Sequence, residues 1–240
     1  MRDLTTLIEV DDPAWPELSA AIADAAVRVD TAAVHPGVAH ATLRQLQVTA
    51  RSYLGGLVLN CGGLMVDDGW VRVYGSPLPG DAWQMPGFAR VNGFPVDARP
   101  DGMPVEGLVV AHDVLGGVFV LNGTDPAAAG RPGRPGEMIY FAPETLGWVG
   151  LDCGYSDWLG WLFAGGLADF YADVRWPGWR GEVRQVSAAQ GLSVVPFLWA
   201  EDSGGAPRSR RPVPLHELLG MGREFSTRLS GTDPGFLGFQ

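Results

Sequence analysis

Lysine is absent from this sequence. All 17 basic residues are arginine, and 27 acidic residues outnumber them for a formal net charge of −10. Proteins bind phosphate backbones through clustered cations that displace condensed counterions, so nucleic acid is not an expected partner. The missing lysine accompanies abundant alanine, glycine, proline and arginine, all specified by GC-rich codons, and points to no site. Cysteine is scarce as well. Cys61 and Cys153 are too few for a disulfide framework and too far apart in the chain for a metal or redox pair. Long apolar runs are also missing: the stretches 55–66 and 158–167 are broken by glycine and fall short of the ~20 residues of a membrane-spanning helix. The opening "MRDLTTLIEVDDPAW" places acidic residues where an export signal needs an apolar core. Neither membrane insertion nor export is expected, and the cytoplasm is the expected compartment.

Hydrophobic residues make up 46% of the chain and charged residues 18%, beside 34 glycines and 19 prolines. That is the composition of a globular chain with many turns. Asp12 and Pro13 read as the cap and first residue of a helix running to about Val29, with Trp15, Leu18 and Ile22 on one stripe. After the break at His35 to Gly37, Ala39, Leu43 and Leu46 mark a second helix. From Leu54 to Pro143 the rhythm shortens to strand-like runs: "GGLVLN", "GGLMV", "WVRVYG", "GLVVAHD", "GVFVLNG" and "EMIYFAP". Asp67-Asp68-Gly69 signals a hairpin, because a tight turn needs residues that tolerate positive φ. "TDPAAAGRPGRPG" reads as a long exposed hairpin loop, and Leu78 to Pro104 as an irregular stretch.

A helix is predicted over Ser156 to Ala172, capped by Ser156 or Asp157, with Trp158, Leu159 and Leu162 closing the core and Trp148 and Trp161 nearer the surface. "RWPGW" ends it, and a short helix follows to about Val186. "LSVVPFLWA" reads as an edge strand, since Pro196 cannot donate a ladder bond. The resulting architecture is α+β, a mostly antiparallel or mixed twisted sheet of about five to seven strands with helices packed against it. Residues 1–200 form the single domain and 201–212 a polar connector. Residues 213–240 form an amphipathic helix starting at Pro214, then a loose glycine-rich tail packed on the same domain.

Most candidate chemistry in the sequence has a structural explanation of equal economy. Gly154-Tyr155-Ser156-Asp157-Trp158 has the outline of a nucleophile elbow, but Trp stands where the tight turn needs Gly, and a capping serine explains the same letters. Cys153 could be a thiolate with His112 or His216 as its base, yet free cysteine is usually buried and inert. The four histidines are dispersed, so no metal or other cofactor is expected. His112-Asp113 reads as a polar pair closing a strand. The paired glycines at 55–56 and 62–63 lack the Lys-Ser/Thr of a phosphate loop. Candidate binding residues are Glu144, Trp148, Asp152, Tyr155, Trp176 and Trp179, which combine carboxylates with aromatic surfaces able to stack on a sugar or a protein.

The segments "VDDPAWP", "LQVTARSYLGGLVLNCGGLMVDDGWVRVYGS", "HDVLGGVFVLNG", "EMIYFAPETLGWVGLDCGYSDWLGWLF", "RWPGWRGEV", "VVPFLWAEDSG" and "SRRPVPLHEL" together resemble domain of unknown function 2625, a bacterial family, over nearly the whole chain to about Gly220. That resemblance implies no particular activity. A fainter pattern in Gly116, Gly117, Tyr140, Ser156, Asp157 and Leu159 is similar to the SUKH superfamily, whose bacterial members are often immunity proteins that neutralise secreted toxins. It implies a SUKH-like fold. The expected function is a non-catalytic cytoplasmic protein-binding module, immunity-like, whose acidic surface meets a basic partner. The alternative is a small-ligand or carbohydrate-binding protein or hydrolase using Trp176 and Trp179 with carboxylates such as Glu144 and Asp157.

Overall fold

Short apolar strands between tight turns build the centre of the molecule. The computed structural model describes residues 2–94, 106–200 and 208–239. Seven strands form one sheet in strict sequence order: β1 (Val29–Ala32), β2 (Gly63–Val66), β3 (Val71–Tyr74), β4 (Leu108–Asp113), β5 (Val118–Leu121), β6 (Met138–Ala142) and β7 (Gly147–Gly150). Every neighbouring pair is antiparallel; short turns join β2 to β3, β4 to β5 and β6 to β7, whereas α3 and α4 lie between β1 and β2 and α5 between β3 and β4. The β2–β3 turn is the predicted one. Asp67, Asp68 and Gly69 all adopt positive φ, at 50°, 60° and 85°. The chain is thus an α+β protein, as its sequence predicts, with an antiparallel sheet.

Register sets two rows of side chains, because directly paired residues project from the same face. One row runs Asp30, Met65, Arg72, His112, Val118, Phe141 and Trp148 across all seven strands. The other runs Thr31, Leu64, Val73, Ala111, Phe119, Tyr140 and Val149. Asp113 pairs with Val71 and so shares the second face.

The helices are α1 (Leu4–Ile8), α2 (Trp15–Ala23), α3 (Pro36–Leu46), α4 (Tyr53–Asn60), α5 (Phe88–Val91), α6 (Tyr155–Phe163), α7 (Leu167–Phe170), α8 (Trp179–Val183) and α9 (Leu215–Ser230). The second face is closed by α6, whose Trp158 is fully buried and packs on Phe119 with ring centroids 5.1 Å apart. Leu159 and Leu162 are buried beside it as expected. The single helix predicted over 156–172 is broken at Gly165 (φ 91°). A Cβ on Gly166 would lie 1.9 Å from the Trp161 ring, so only glycine lets the chain fold back there to start α7. Nor is Ser156 a cap: α6 begins at Tyr155 after Gly154, with no side-chain cap bond, which places Ser156, exposed, inside the first turn.

Other boundaries differ for physical reasons. Gly55 to Asn60, expected as a strand, lies in α4, where the Ser52 hydroxyl accepts from Gly55 N–H at 3.0 Å. A short apolar run does not reveal its period, and Gly56 lets this helix approach Ala14 and Trp15. The first long helix starts at Trp15 and stops at Ala23, because residues 29–32 are claimed by pairing with β2. An unforeseen α1 is capped by Asp3, which accepts from Thr6 N–H at 2.7 Å.

The first face is covered by the C-terminal part. β8 (Gln190–Val195) pairs with β9 (Ser209–Pro214) in a separate two-stranded sheet, so 209–212 is strand where a polar connector was expected; 201–207 lie outside the described residues. Pro214 precedes α9 as predicted. The tail is not loose. Trp148 Nε1 donates to the Pro234 carbonyl at 3.1 Å, Arg131 Nη2 to Phe236 at 2.9 Å and His112 Nε2 to Leu237 at 2.7 Å. Leu237 is buried, and Phe239 N–H donates to Val91.

Candidate functional site

Strand alternation turns Val149 away from its neighbour Trp148, onto the face of the sheet that α6 covers. β7 is the last strand of the sheet, so little lies over its outer side, and Val149 is 46% exposed. Between β7 and α6 an open groove of about 440 Å³ is lined by Val149, Asp152, Asp157, Trp158, Trp161 and Phe170 among others. Asp152, which reaches positive φ (51°) as the chain leaves β7, and Asp157, in the first turn of α6, are both exposed. The groove thus has an apolar, aromatic floor and an acidic rim. Cys153 also lines it, but burial first, then the charges of Asp157, Asp152 and Glu137, push its thiol pKa up. A thiol so disposed is a poor nucleophile at neutral pH.

The six candidate binding residues do not form one site. Asp152 alone lines this groove. Tyr155 was expected to be available to a ligand but is buried, its ring 5.7 Å from that of Trp158. Trp148 is half-buried under the tail, with the Arg131 guanidinium 4.7 Å above its ring. Glu144, in the β6–β7 turn, is half-buried. Burial raises its carboxyl pKa, the Asp113 charge adds to the rise, and a backbone hydrogen bond opposes it.

Trp176 and Trp179 lie together in a different place. Trp179 is buried, its ring edge-on to the fully buried Trp70 at 4.9 Å, which corrects the expectation of an exposed pair. Trp176 is half-buried, and the Arg210 guanidinium covers its ring at 4.2 Å, so that face is unavailable to a sugar. Arg175 stacks on Trp70 and Trp179 at 4.7 and 4.2 Å and donates to Asp67 at 2.6 Å. Arg184 donates to Asp68 at 2.6 Å. Here the β2–β3 turn clamps the segment that carries α8.

Two buried polar centres flank the sheet. Asp113 has no exposure. Its Oδ1 accepts from Leu115 and Gly117 N–H at 2.7 and 2.9 Å, and its Oδ2 from the Tyr140 and Tyr171 hydroxyls at 2.6 and 2.9 Å. Four donors match the lone-pair sites of an ionised carboxylate, which leaves none for a reacting proton. Burial, followed by the Asp113 charge, holds both tyrosines well above the usual phenol range, so they remain donors. On the opposite face His112 is committed at both ring nitrogens, to the Tyr74 hydroxyl at 2.7 Å and to the Leu237 carbonyl. His112-Asp113 reads in the sequence as a polar pair closing a strand, but Tyr74, Tyr140, Tyr171 and Leu237, which bond it from far along the chain, leave no local signal. Among the described residues no three His, Cys, Asp or Glu side chains converge as metal ligands.

Comparison with known proteins adds lineage. The chain is 37% identical over 223 residues to the "Putative uncharacterized protein YbfG" of Escherichia coli (strain K12), covering 92% of this chain and 95% of that one. It is 28% identical over 199 residues to an "Uncharacterized protein" of Haemophilus influenzae, covering 82% and 83% respectively. No solved structure matches. The profile of the family described as "Protein of unknown function DUF2625" matches residues 4–218, and the chain belongs to that family.

Proposed function

We propose that the protein is a non-catalytic binding module and that the groove between β7 and α6 takes an extended, basic segment of a partner protein. One observation carries the reading: the edge strand of the sheet, with Val149 46% exposed, borders an aromatic floor flanked by Asp152 and Asp157. Extended segments dock on such edges through main-chain hydrogen bonds and place alternate side chains in adjoining pockets. Two carboxylates on the rim, on a chain of net charge −10, select lysine or arginine in that segment and speed encounter. Against catalysis stand the saturated Asp113, the doubly bonded His112 and the raised Cys153. The immunity-like form of this reading makes the partner a toxin. Within its sequence pattern Gly117, Tyr140 and Leu159 pack the core here, whereas Asp157 stands on the rim of the groove, so the groove is its better support. A toxin-like reading frame beside the gene would specify that form.

The test is affinity for a partner captured from the source cells. The double variant Asp152→Arg/Asp157→Arg binds at least about tenfold more weakly than the parent, and parental association slows as salt rises. Unchanged affinity of the double variant, or turnover of a substrate by the purified protein, overturns the proposal.

A further inference from the structure

Arg72 occupies the middle of the sheet, in β3, between Met65 on β2 and His112 on β4. It has no exposed surface. Its Nε, Nη1 and Nη2 find no hydrogen-bond partner among the described residues, and neither do Trp70 Nε1 just before β3 and Ser76 Oγ just after it. Five of the ten unpartnered buried side-chain atoms among the described residues thus fall within seven residues of chain.

A buried guanidinium cannot escape by losing its proton. Burial draws its pKa down to about 10, which leaves it a cation at neutral pH. The nearby groups do not neutralise it by contact. Asp113 projects from the other face with its acceptor sites filled. His112 Nε2 donates to the Leu237 carbonyl, and burial, which lowers its pKa to about 4, keeps the imidazole neutral, so Nδ1 accepts from Tyr74. Buried polar groups are normally bonded, and buried charges are normally paired. The Asp113 charge favours the cation only through space, from the other face, and a neutral guest would bring no charge into contact with it, so the missing partner is anionic. Full enclosure of the side chain makes it small.

We infer that Arg72 binds a small monovalent inorganic anion, of the size of chloride, inside the core of the sheet. The anion accepts from the guanidinium and is enclosed when the chain folds. Binding to the folded state alone couples the anion to stability.

Thermal unfolding of the intact protein is followed at constant ionic strength while chloride replaces gluconate, which is too large to enter. The midpoint rises by roughly 3–5 °C for each tenfold increase in free chloride above the dissociation constant. Crystals grown in bromide show an anomalous peak at hydrogen-bonding distance from Arg72. Arg72→Met, which keeps much of the apolar stem, loses the chloride dependence. A parental midpoint indifferent to chloride, or density at the guanidinium that is water with bromide only on the surface, overturns the inference. Both arms use the parental protein, so they decide the matter even if Arg72→Met does not fold.

Discussion

His112 is neutral at pH 7 because it lies without exposure inside a closed core, where its ring nitrogens bond Tyr74 and Leu237. Burial, with the Arg72 charge acting in the same sense and the Leu237 bond opposing, lowers its pKa to about 4. An exposed imidazole protonates near pH 6.5. Between those values the unfolded chain binds more protons than the folded one, so His112 stabilises the fold above pH 6.5, and that contribution is lost as pH falls toward 4. The expected outcome for His112→Gln is a flatter pH dependence. Relative to the parent, its loss of unfolding free energy from pH 7 to 4.5 is smaller by up to about 3 kcal/mol. Urea titrations at stepped pH measure it, and parallel curves for the two proteins would refute it. His112-Asp113 looks like any polar strand end, and its partners come from 38 and 125 residues away for His112, and from 27 and 58 residues away for Asp113. Gly117 was legible as a glycine before a strand. Its reason was not: a Cβ there would lie 2.1 Å from Asp113 Oδ2 and 2.2 Å from the Tyr140 hydroxyl.

At the scale of elements, the β2–β3 turn combines a readable local signal with an unreadable tertiary one. Asp67-Asp68-Gly69 is a turn because these residues accept positive φ, and that much needs only the letters. The same two carboxylates hold Arg175, Arg180 and Arg184. The Asp67–Arg175 pair is 2.6 Å long with side chains only 7% and 10% exposed, whereas Arg28 in the Arg28–Asp30 pair is 57% exposed. Removing one partner of a desolvated pair strands the other, while surface pairs contribute little. Asp67→Asn, which keeps the turn's φ, is therefore expected to cost about 3 kcal/mol and Asp30→Asn less than about 1 kcal/mol. Denaturant midpoints of the two variants check the contrast; equal losses would show that the clamp is not the cause. Helix α4 is the opposite case. "GGLVLN" fits a strand as well as one helical face, and the choice falls to Ser52 and to the neighbours that its glycines admit.

Across the whole molecule, two faces of one sheet are closed by two different parts of the chain. Helix α6 closes one locally, from just beyond β7. The other is closed by segments that return from the far end, down to Leu237 and Phe239. The tail bonds are made by side chains of β4, β7 and the β5–β6 loop, so the tail belongs to the same cooperative unit. Deleting residues 232–240 is expected to lower the midpoint of the single thermal transition by several degrees and to increase binding of an apolar dye. A separate early transition, or an unchanged midpoint, would instead make the tail an appendage. The sequence by itself determined the α+β class, the hairpin at Asp67 to Gly69, the core stripe of Trp158, Leu159 and Leu162, and the acidic balance, because these depend on local backbone preference, periodicity and composition. Only the tertiary structure decided that Trp179 and Tyr155 are inside, that the tail is anchored and that Arg72 is sealed in the sheet. Burial and pairing arise between residues distant along the chain, and no local pattern encodes which of them will meet.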